Sequence, residues 1–355
     1  MRAALFHQFG APLEVATVAD PTPPPDGVVL RVTASGICRS DWHGWQGHDA
    51  DITTLPHVPG HELAGEVVAV GGGVTGWRGG ELVTTPFVCG CGGCVPCRRG
   101  DHQVCDHQTQ PGFTHWGSWA EFVVIRHADV NLVALPEAID AVTAASLGCR
   151  FATAFRAVVD QGSVVPGEWV AVHGCGGVGL SAVMIAVASG ARVIAVDVDA
   201  ATLSRARELG AEAAINGREV AHVAAAIHDL TGGGADLSID ALGARVTATN
   251  SIGSLRKNGR HLQVGLLAGD DYRPPLPMEL VISRELSLIG SHGMAAHHYP
   301  RMLAMIADGR LEPRQLVART VPLDAAPAEL AAMAGLSSQG MVVIDMDGGS
   351  EPGRR

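Results

Sequence analysis

Four cysteines within one short stretch have the spacing of metal ligands. Two residues separate the first from the second and the second from the third, and seven separate the third from the fourth. Short gaps let thiolates converge from one turn and the longer gap brings the chain back, so four sulfurs can enclose one zinc and leave no open position. We predict a structural zinc that folds this lobe; an iron–sulfur site is the alternative. The predicted ligands are Cys91, Cys94, Cys97 and Cys105, with Cys89 left over.

A glycine-rich stretch has the pattern of a dinucleotide-binding loop. It lies between the run EWVAVH and the helix-like run LSAVMIAVASG. Glycines permit a tight turn, close approach to a pyrophosphate and close helix packing, while the helix N-terminus supplies N–H donors. An unliganded turn is the alternative, because such glycines alone are weak evidence. The predicted cofactor-binding residues of the loop are Gly174, Gly176, Gly177, Val178 and Gly179.

An acidic residue follows at the distance that the same motif requires. Asp197 ends the next apolar run, 18 residues beyond Gly179. Its carboxylate can accept hydrogen bonds from the adenosine ribose hydroxyls and would repel a 2′-phosphate, so we expect NAD and not NADP. A solvated strand end is the alternative. Val264, at the end of a later strand-like run, is a further cofactor-binding candidate.

The order of strand-like and helix-like runs changes along the sequence, and each pattern predicts a different domain. Over residues 1–150, short β-like runs alternate with Gly, Pro and Asp clusters, which predicts a β-rich domain with loops. Over 151–291, alternating β and α runs predict a doubly wound parallel sheet. In 292–355, a helical run and the strand-like MVVIDM predict a return to the first domain. The proline-rich PTPPPDG is predicted to be a surface turn.

Length and composition exclude several classes of protein. A chain of 355 residues is long enough for two domains. The net charge of -11, without clustered Lys and Arg, argues against nucleic acid or an anionic membrane as partner. No stretch has the pattern of a signal peptide or a membrane span, so we expect a cytoplasmic protein. In that reducing compartment, clustered cysteines favour metal binding over disulfides.

Several motifs together resemble the zinc-dependent medium-chain alcohol dehydrogenases, over nearly the whole chain. Agreement among independent motifs is more specific than any one of them. The resemblance implies a GroES-like β-rich catalytic domain with both zinc sites, an inserted Rossmann domain, and two Zn²⁺ ions and NAD per chain. The motifs are GICRSDWH at 36–43, GHELAGEVVAVG at 60–71, the cysteine cluster, LGCRFATAFRAV at 147–158 and GCGGVG at 174–179.

The resemblance implies a catalytic zinc held by Cys38, His61 and Cys149, with a fourth position open to water or to the substrate oxygen. Zinc acts there as a Lewis acid while hydride passes to the nicotinamide. Ser40 is implied as the hydroxyl bonded to the substrate oxygen. His43 is implied as the surface base, linked through the nicotinamide ribose, and histidine titrates in the range that suits this task.

Three neighbouring residues receive supporting roles from the same resemblance. Glu62 is placed near the metal and can bind it transiently. Asp41 is placed behind the ligand His61, where a carboxylate orients the imidazole. Arg39 is expected to pair with the cofactor pyrophosphate, because a guanidinium fork matches phosphate oxygens.

The resemblance also implies an aromatic substrate channel. Trp45, Phe87 and Trp119 are expected to line it, with Trp116 close by, and ordinary core packing is the alternative. Such a channel favours apolar primary, allylic, benzylic or short secondary alcohols. Met341 lies where many relatives carry an arginine beside the pyrophosphate, which would weaken NAD binding. The chain is similar to the shorter microbial enzymes, so we expect a homotetramer.

The reading as an NAD-dependent alcohol dehydrogenase uses every motif, but alternatives remain. A polyol or sugar-alcohol dehydrogenase of the same superfamily would need several converging polar groups in its pocket. A non-enzymatic zinc protein would use the fold as a binding module. A zinc-dependent lyase or dehydratase would act without net hydride transfer to substrate. NADH formation with an alcohol separates the dehydrogenases from the last two.

Overall fold

The computed structural model describes residues 1–267, 271–335, 340–346 and 348. The chain forms two compact units, and the first is built from both ends of the sequence. Unit 1 comprises Met1–Ala152 and Gly293–Arg355, and unit 2 comprises Thr153–His292. Within the described ranges, no helix is long and apolar enough to cross a membrane.

The strands of the described residues alternate with turns in unit 1 and with helices in unit 2. In chain order they are β1 (Arg2–Leu5), β2 (Glu14–Thr17), β3 (Val28–Ile37), β4 (Leu63–Val70), β5 (Leu82–Thr84), β6 (Phe122–Ile125), β7 (Val133–Ala134), β8 (Trp169–His173), β9 (Arg192–Asp197), β10 (Ala213–Asn216), β11 (Ala235–Asp240), β12 (Leu255–Gln263), β13 (Ser287–Gly290), β14 (Val317–Val321) and β15 (Met341–Asp345).

Except for Tyr299–Ala307, the α-helices described in unit 1 have seven residues or fewer, and most of those of unit 2 are longer. They are α1 (Arg39–Trp45), α2 (Val95–Arg98), α3 (Ala128–Asn131), α4 (Ala141–Ala145), α5 (Ala152–Phe155), α6 (Gly177–Ala188), α7 (Ala200–Glu208), α8 (Val223–Thr231), α9 (Arg245–Gly253), α10 (Met278–Ser283), α11 (Tyr299–Ala307) and α12 (Ala326–Ala332). Two π-helical segments, Leu147–Phe151 and Arg156–Gln161, flank α5.

The main sheet of unit 1 joins the two ends of the chain. Its strands run in the order β14-β15-β3-β4-β5-β7, and β6 also pairs with β3. Strand β15 is antiparallel to β3, with Val343 opposite Gly36. Strand β15 therefore lies in the same sheet as strands from the first part of the chain. Its apolar side chains complete a core with β3, whose Leu30 and Ile37 are fully buried.

Unit 1 contains helices where the sequence pattern predicted only strands and loops. Helix α1 begins directly after Cys38, whose backbone N–H donates to the Asp41 carboxylate. Helix α4 begins after Asp140, which accepts from the Thr143 N–H. In both places a short polar side chain satisfies an N–H group at the helix start, and this local capping overrides a β-rich context. Because α1 begins directly after Cys38, its polar residues Arg39, Ser40 and Asp41 lie in the first turn after this cysteine.

Unit 2 has the parallel sheet that its alternating pattern predicted. The strand order is β10-β9-β8-β11-β12-β13, and every adjacent pair is parallel. Helix α6 begins at Gly177, and the three residues between it and His173, the end of β8, form the turn. The glycine-rich loop therefore lies at the carboxyl end of a central strand, the edge of the sheet where such folds bind ligands.

Candidate active site and metal centres

Three side chains from distant parts of the sequence converge in unit 1. Cys38 ends the connection from β3 to α1, His61 precedes β4, and Cys149 lies in the π-helical segment Leu147–Phe151. One ligand atom from each lies within 4.8 Å of the others. A single zinc ion with ligands at about 2.0 to 2.3 Å spans such a group. The structure thus brings together the three predicted ligands of the catalytic zinc.

The His61 ring is oriented by Asp41. The distance from His61 Nδ1 to Asp41 Oδ1 is 2.9 Å, and both side chains are fully buried. Asp41 also accepts from the backbone N–H groups of Gly60 and Cys38, at 3.1 and 2.9 Å. His61 Nε2 is buried and has no hydrogen-bond partner among the described residues. An imidazole fixed through Nδ1 with an unpartnered Nε2 is the arrangement of a metal-binding histidine.

The electrostatics of the group favour a cation. Burial acts to lower the pKa of His61, but the charge and hydrogen bond of Asp41 raise it well above its usual range. A hydrogen bond from Cys149 holds the pKa of the Cys38 thiol well below its usual range, even though Cys38 is buried. Buried positive charge is therefore stabilised beside a thiolate, and a zinc ion can replace the proton that would otherwise supply it.

Glu62 is held by a residue to which the sequence analysis gave no role. Glu62 Oε1 accepts from the backbone N–H and the Nε of Arg150, each at 3.1 Å, and Oε2 accepts from Nη2. Both side chains are buried. A β-carbon at Gly36 would overlap this carboxylate. The structure thus directs Glu62 to Arg150 and not to the metal-ligand group, because a two-pronged ion pair satisfies both of its oxygens.

The residues expected to handle the proton and the pyrophosphate lie on α1. Ser40 is in its first turn and half-buried, and His43 is half-buried. Burial, followed by the charges of Arg39 and His48, lowers the pKa of His43. The Arg39 guanidinium donates to the Met333 carbonyl and lies 4.5 Å from the centre of the Trp42 ring. The sequence analysis gave His48 no role, although it contacts His43.

Two phenylalanines lie close to the metal-ligand group. The ring centre of Phe87 is 6.3 Å from that of His61, and the ring centre of Phe113 is 5.3 Å from it. Phe87 was predicted to line the substrate channel. Phe113 was not, because nothing in its sequence context distinguishes it from a core residue. Both side chains are buried and apolar, so they shield one side of His61 from water.

The tryptophans are placed differently from one another. Trp119 is fully buried in a core cluster with Ile37 and donates to the Gly36 carbonyl at 3.1 Å. The prediction that it lines the substrate channel needs correction, because its ring packs within the core and its N–H already has a hydrogen-bond partner there. Trp45 donates to the Ala11 carbonyl and Trp116 to the Pro56 carbonyl, and both are partly buried.

The cysteine cluster forms a second group of metal-ligand atoms. Its four sulfurs lie within 4.8 Å of one another, and α2 carries Cys97 back toward the others. Backbone N–H groups, that of Gly93 foremost, lower the pKa of Cys91 to about 7. Cys89 lies outside the group and is buried among apolar residues, where burial raises its pKa to about 11. The cluster therefore has the donor set of a closed tetrahedral zinc site, with Cys89 as a separate thiol.

The glycine-rich loop has the close contacts that its pattern predicted. Gly174 has φ +85°, and a β-carbon at Gly179 would overlap the Gly174 carbonyl. A β-carbon at Gly176 would meet nothing within 4 Å, so the backbone there is open to a ligand. Helix α6 begins at Gly177, and Val178 lies in its first turn. The loop can present backbone N–H groups to an anion.

Asp197 lies against this loop. Its Oδ2 accepts from the Cys175 N–H at 2.7 Å, and its Oδ1 accepts from the N–H groups of Val198 and Asp199 at 2.7 and 3.0 Å. The carboxylate is therefore fixed beside the turn that the glycines form. Val264 follows β12, and its N–H donates to the Asp240 carbonyl at 3.0 Å.

Met341 begins β15 in the core of unit 1. It is buried and pairs with Val317 in the main sheet. A methionine satisfies this position by apolar packing.

Comparison with known proteins agrees with this architecture. The sequence model "Alcohol dehydrogenase GroES-like domain" matches residues 24–137, and "Zinc-binding dehydrogenase" matches residues 177–308. The NAD-dependent alcohol dehydrogenase of Sulfurisphaera tokodaii is 32% identical over 92% of this chain and 94% of its own. The sorbitol dehydrogenase of Halalkalibacterium halodurans is 32% identical over 89% of this chain and 91% of its own. A solved structure of an NAD-dependent alcohol dehydrogenase, 32% identical, covers 98% of this chain and 100% of its own with a TM-score of 0.88.

A β-rich unit with two metal-ligand groups and a unit with a dinucleotide-type loop together define a zinc-binding dehydrogenase. The chain belongs to the zinc-dependent medium-chain alcohol dehydrogenase family, whose members are oxidoreductases acting on CH–OH groups. The predicted family, fold class and reaction class are confirmed.

Proposed function

We propose that this protein oxidises an apolar primary, aromatic, allylic or short secondary alcohol with NAD to the aldehyde or ketone, and catalyses the reverse reduction. The observation that carries the proposal is the unpartnered Nε2 of buried His61 beside two cysteine sulfurs. Its other ring nitrogen is committed to Asp41. A fully buried polar atom without a partner is costly unless something binds it.

Zinc supplies a Lewis acid for the substrate oxygen when it is bound by Cys38, His61 and Cys149. The protein's own residues keep this group dry and fixed. Asp41 orients His61, and Phe87 and Phe113 exclude water from its side. A second zinc on the cysteine cluster has no open position, and its contribution is to folding.

The substrate proton is handled by residues of α1. In this proposal the Ser40 hydroxyl accepts it, and His43 is the base that removes it from the site. The lowered pKa of His43 keeps its imidazole neutral at neutral pH, which is the form that takes up a proton.

NAD supplies the hydride acceptor when it is bound by unit 2. The open backbone at Gly176 and the start of α6 suit a pyrophosphate, and Asp197 suits the ribose hydroxyls. We include Arg39 and Val264 among the cofactor contacts. The relative from Sulfurisphaera tokodaii is named as NAD-dependent, which supports the same cofactor here.

The experiment that tests the proposal measures NADH formation with a panel of ethanol, longer primary, benzylic, allylic and secondary alcohols, and sorbitol. Metal content is determined on the same sample. We expect turnover of apolar alcohols and about two zinc ions per chain. Preferential turnover of sorbitol would favour the polyol reading. No NADH with any alcohol, with both zinc ions present, would contradict an alcohol dehydrogenase function.

Replacing Asp197 with glycine is expected to raise the preference for NADP over NAD by at least about tenfold, because one repulsive charge near the 2′-phosphate is removed. The same change releases three backbone N–H groups, of Cys175, Val198 and Asp199, which can then donate to phosphate oxygens. The measurement is the ratio of kcat/KM for the two cofactors. Asp229→Gly, at an exposed aspartate of the same unit, is the control; an unchanged ratio in both variants removes Asp197 from the ribose site.

We propose that the protein is a homotetramer built in part through the edge of the parallel sheet. Strand β13 is the outer strand of this sheet among the described residues. Leu288 within this strand is 37% exposed, and Ile282 of α10, the helix that precedes the strand in the chain, is 80% exposed. A free strand edge flanked by exposed apolar side chains suits pairing with a second copy.

The combined change Ile282→Glu and Leu288→Glu is expected to lower the oligomeric state, since buried unpaired carboxylates would oppose the contact. Light scattering after size-exclusion chromatography gives the mass of the assembly. Leu230→Glu, at a similarly exposed leucine of α8, is the matched control. An assembly of unchanged mass in the double variant would show that this edge is not the interface.

A further inference from the structure

We propose that His48 takes the proton from His43 and releases it to solvent, so that two imidazoles complete the exit path for the substrate proton. The inference deepens the proposed function and rests on it. His48 acts through His43 and is therefore a positioning and relay residue. Its contact with His43 follows from the way that α1 ends.

The backbone at the end of α1 brings the two histidines together. The N–H of Gly47 donates to the Gly44 carbonyl and that of His48 to the His43 carbonyl, both at 3.0 Å. Gly47 has φ +76°, a conformation that glycine adopts without strain. These two bonds are those of the Schellman motif, in which side chains five residues apart at the helix end face each other. Here those side chains are the two imidazoles.

The two rings share a single hydrogen bond. His43 Nδ1 and His48 Nδ1 are 3.1 Å apart, which is a hydrogen-bond distance for ring nitrogens. A neutral imidazole has one N–H donor and one acceptor nitrogen, so only one of these Nδ1 atoms carries the proton. When it is His43 Nδ1, the Nε2 of His43 is free to accept a proton, and the Nε2 of His48 carries one that can leave.

The difference in burial between the two histidines sets the direction of proton transfer. His43 is half-buried and His48 is exposed. The Trp42 ring packs against both, with ring centres 5.0 Å from His43 and 5.8 Å from His48. The charged or titratable groups that act on His43 are Arg39, His48 and Cys38. Burial and the charge of Arg39 both disfavour a positive charge on His43, so a proton arriving there is passed outward to the neutral, exposed His48.

The transfer balances without any further reactant. A proton enters at His43 Nε2, the proton on His43 Nδ1 moves to His48 Nδ1, and the proton on His48 Nε2 leaves to water. One proton enters the pair and one leaves it, and no electrons are transferred. Aldehyde reduction uses the same steps in reverse. Exchange with solvent restores the starting tautomers.

The first arm of the test is nuclear magnetic resonance of ¹⁵N-histidine in the protein without cofactor. We expect the pKa of His43 in the parent to be held below its usual range by burial, by Arg39 and by the neighbouring His48. In His48→Gln, His43 should titrate at higher pH. His222→Gln, at an exposed histidine of unit 2, should leave the His43 titration unchanged. An identical His43 titration in the parent and His48→Gln overturns the proposal.

The second arm follows proton release during a single turnover, with a pH indicator in weak buffer. We expect release to be slower by about a hundredfold in His48→Gln, the lower end of the range for a lost acid–base step, and to be restored by added imidazole. Equal release rates in His48→Gln and the parent, with or without imidazole, overturn the relay. Failure of the parent to form NADH contradicts the proposed function instead, so the two failures are distinguishable.

Discussion

Replacing Cys38 with serine is expected to lower kcat by at least about a thousandfold, which corresponds to the several kcal/mol that a Lewis-acid metal contributes. A serine hydroxyl remains protonated where the thiolate binds, so the catalytic zinc is lost. Metal analysis should show about one zinc per chain instead of two. The melting temperature should change little, because the surrounding β3, α1 and β4 carry their own buried core.

Replacing Cys94 with serine should mainly lower the stability of the protein, whereas Cys38→Ser mainly lowers its activity. The cysteine cluster lies in a segment whose only regular elements are the four-residue α2 and a short 3₁₀ turn. Metal binding there is coupled to folding, so we expect a large fall in melting temperature and loss of the other zinc.

Cys89→Ser is the matched control for both variants, because Cys89 is a buried thiol in the same unit that lies outside both ligand groups. It should retain about two zinc ions and turnover. Thermal unfolding, metal content and NADH formation are measured on all three proteins. Equal stability losses in Cys38→Ser and Cys94→Ser would contradict the division into a catalytic and a structural zinc.

Replacing Arg150 with methionine is expected to destabilise the protein by about 3 to 5 kcal/mol, because the Glu62 carboxylate is left buried without its partner. For a unit of this size the melting temperature should fall by at least about 6 °C. Arg150 also directly follows Cys149, so we expect weaker binding of the catalytic zinc. Differential scanning calorimetry and zinc titration measure the two effects.

Two further variants show whether the buried charge is the cause. Arg310→Met breaks an exposed ion pair with Asp308, and surface pairs contribute little, so its melting temperature should not change measurably. Adding Glu62→Gln to Arg150→Met removes the unpaired charge and should recover part of the loss. A double variant as unstable as Arg150→Met alone would indicate that lost packing, and not charge, explains the effect.

Local patterns in the sequence determined the parts of the site whose residues are close in the chain. The spacing of Cys91, Cys94, Cys97 and Cys105 predicted a closed group of sulfurs, because short gaps restrict where thiolates can point. The glycine pattern predicted the turn before α6, and at Gly174 and Gly179 a β-carbon would be too close to neighbouring atoms. The alternation after residue 151 predicted the parallel sheet.

Tertiary structure alone decided the contacts between residues far apart in the sequence. Glu62 and Arg150 are separated by 88 residues, and nothing near either one specifies the other. Phe113 beside His61 and Trp119 in the core were likewise decided by packing. An aromatic side chain is apolar in a channel and in a core alike, so its type cannot distinguish them. Which of the two it occupies depends on how the strands and loops of unit 1 fold against one another.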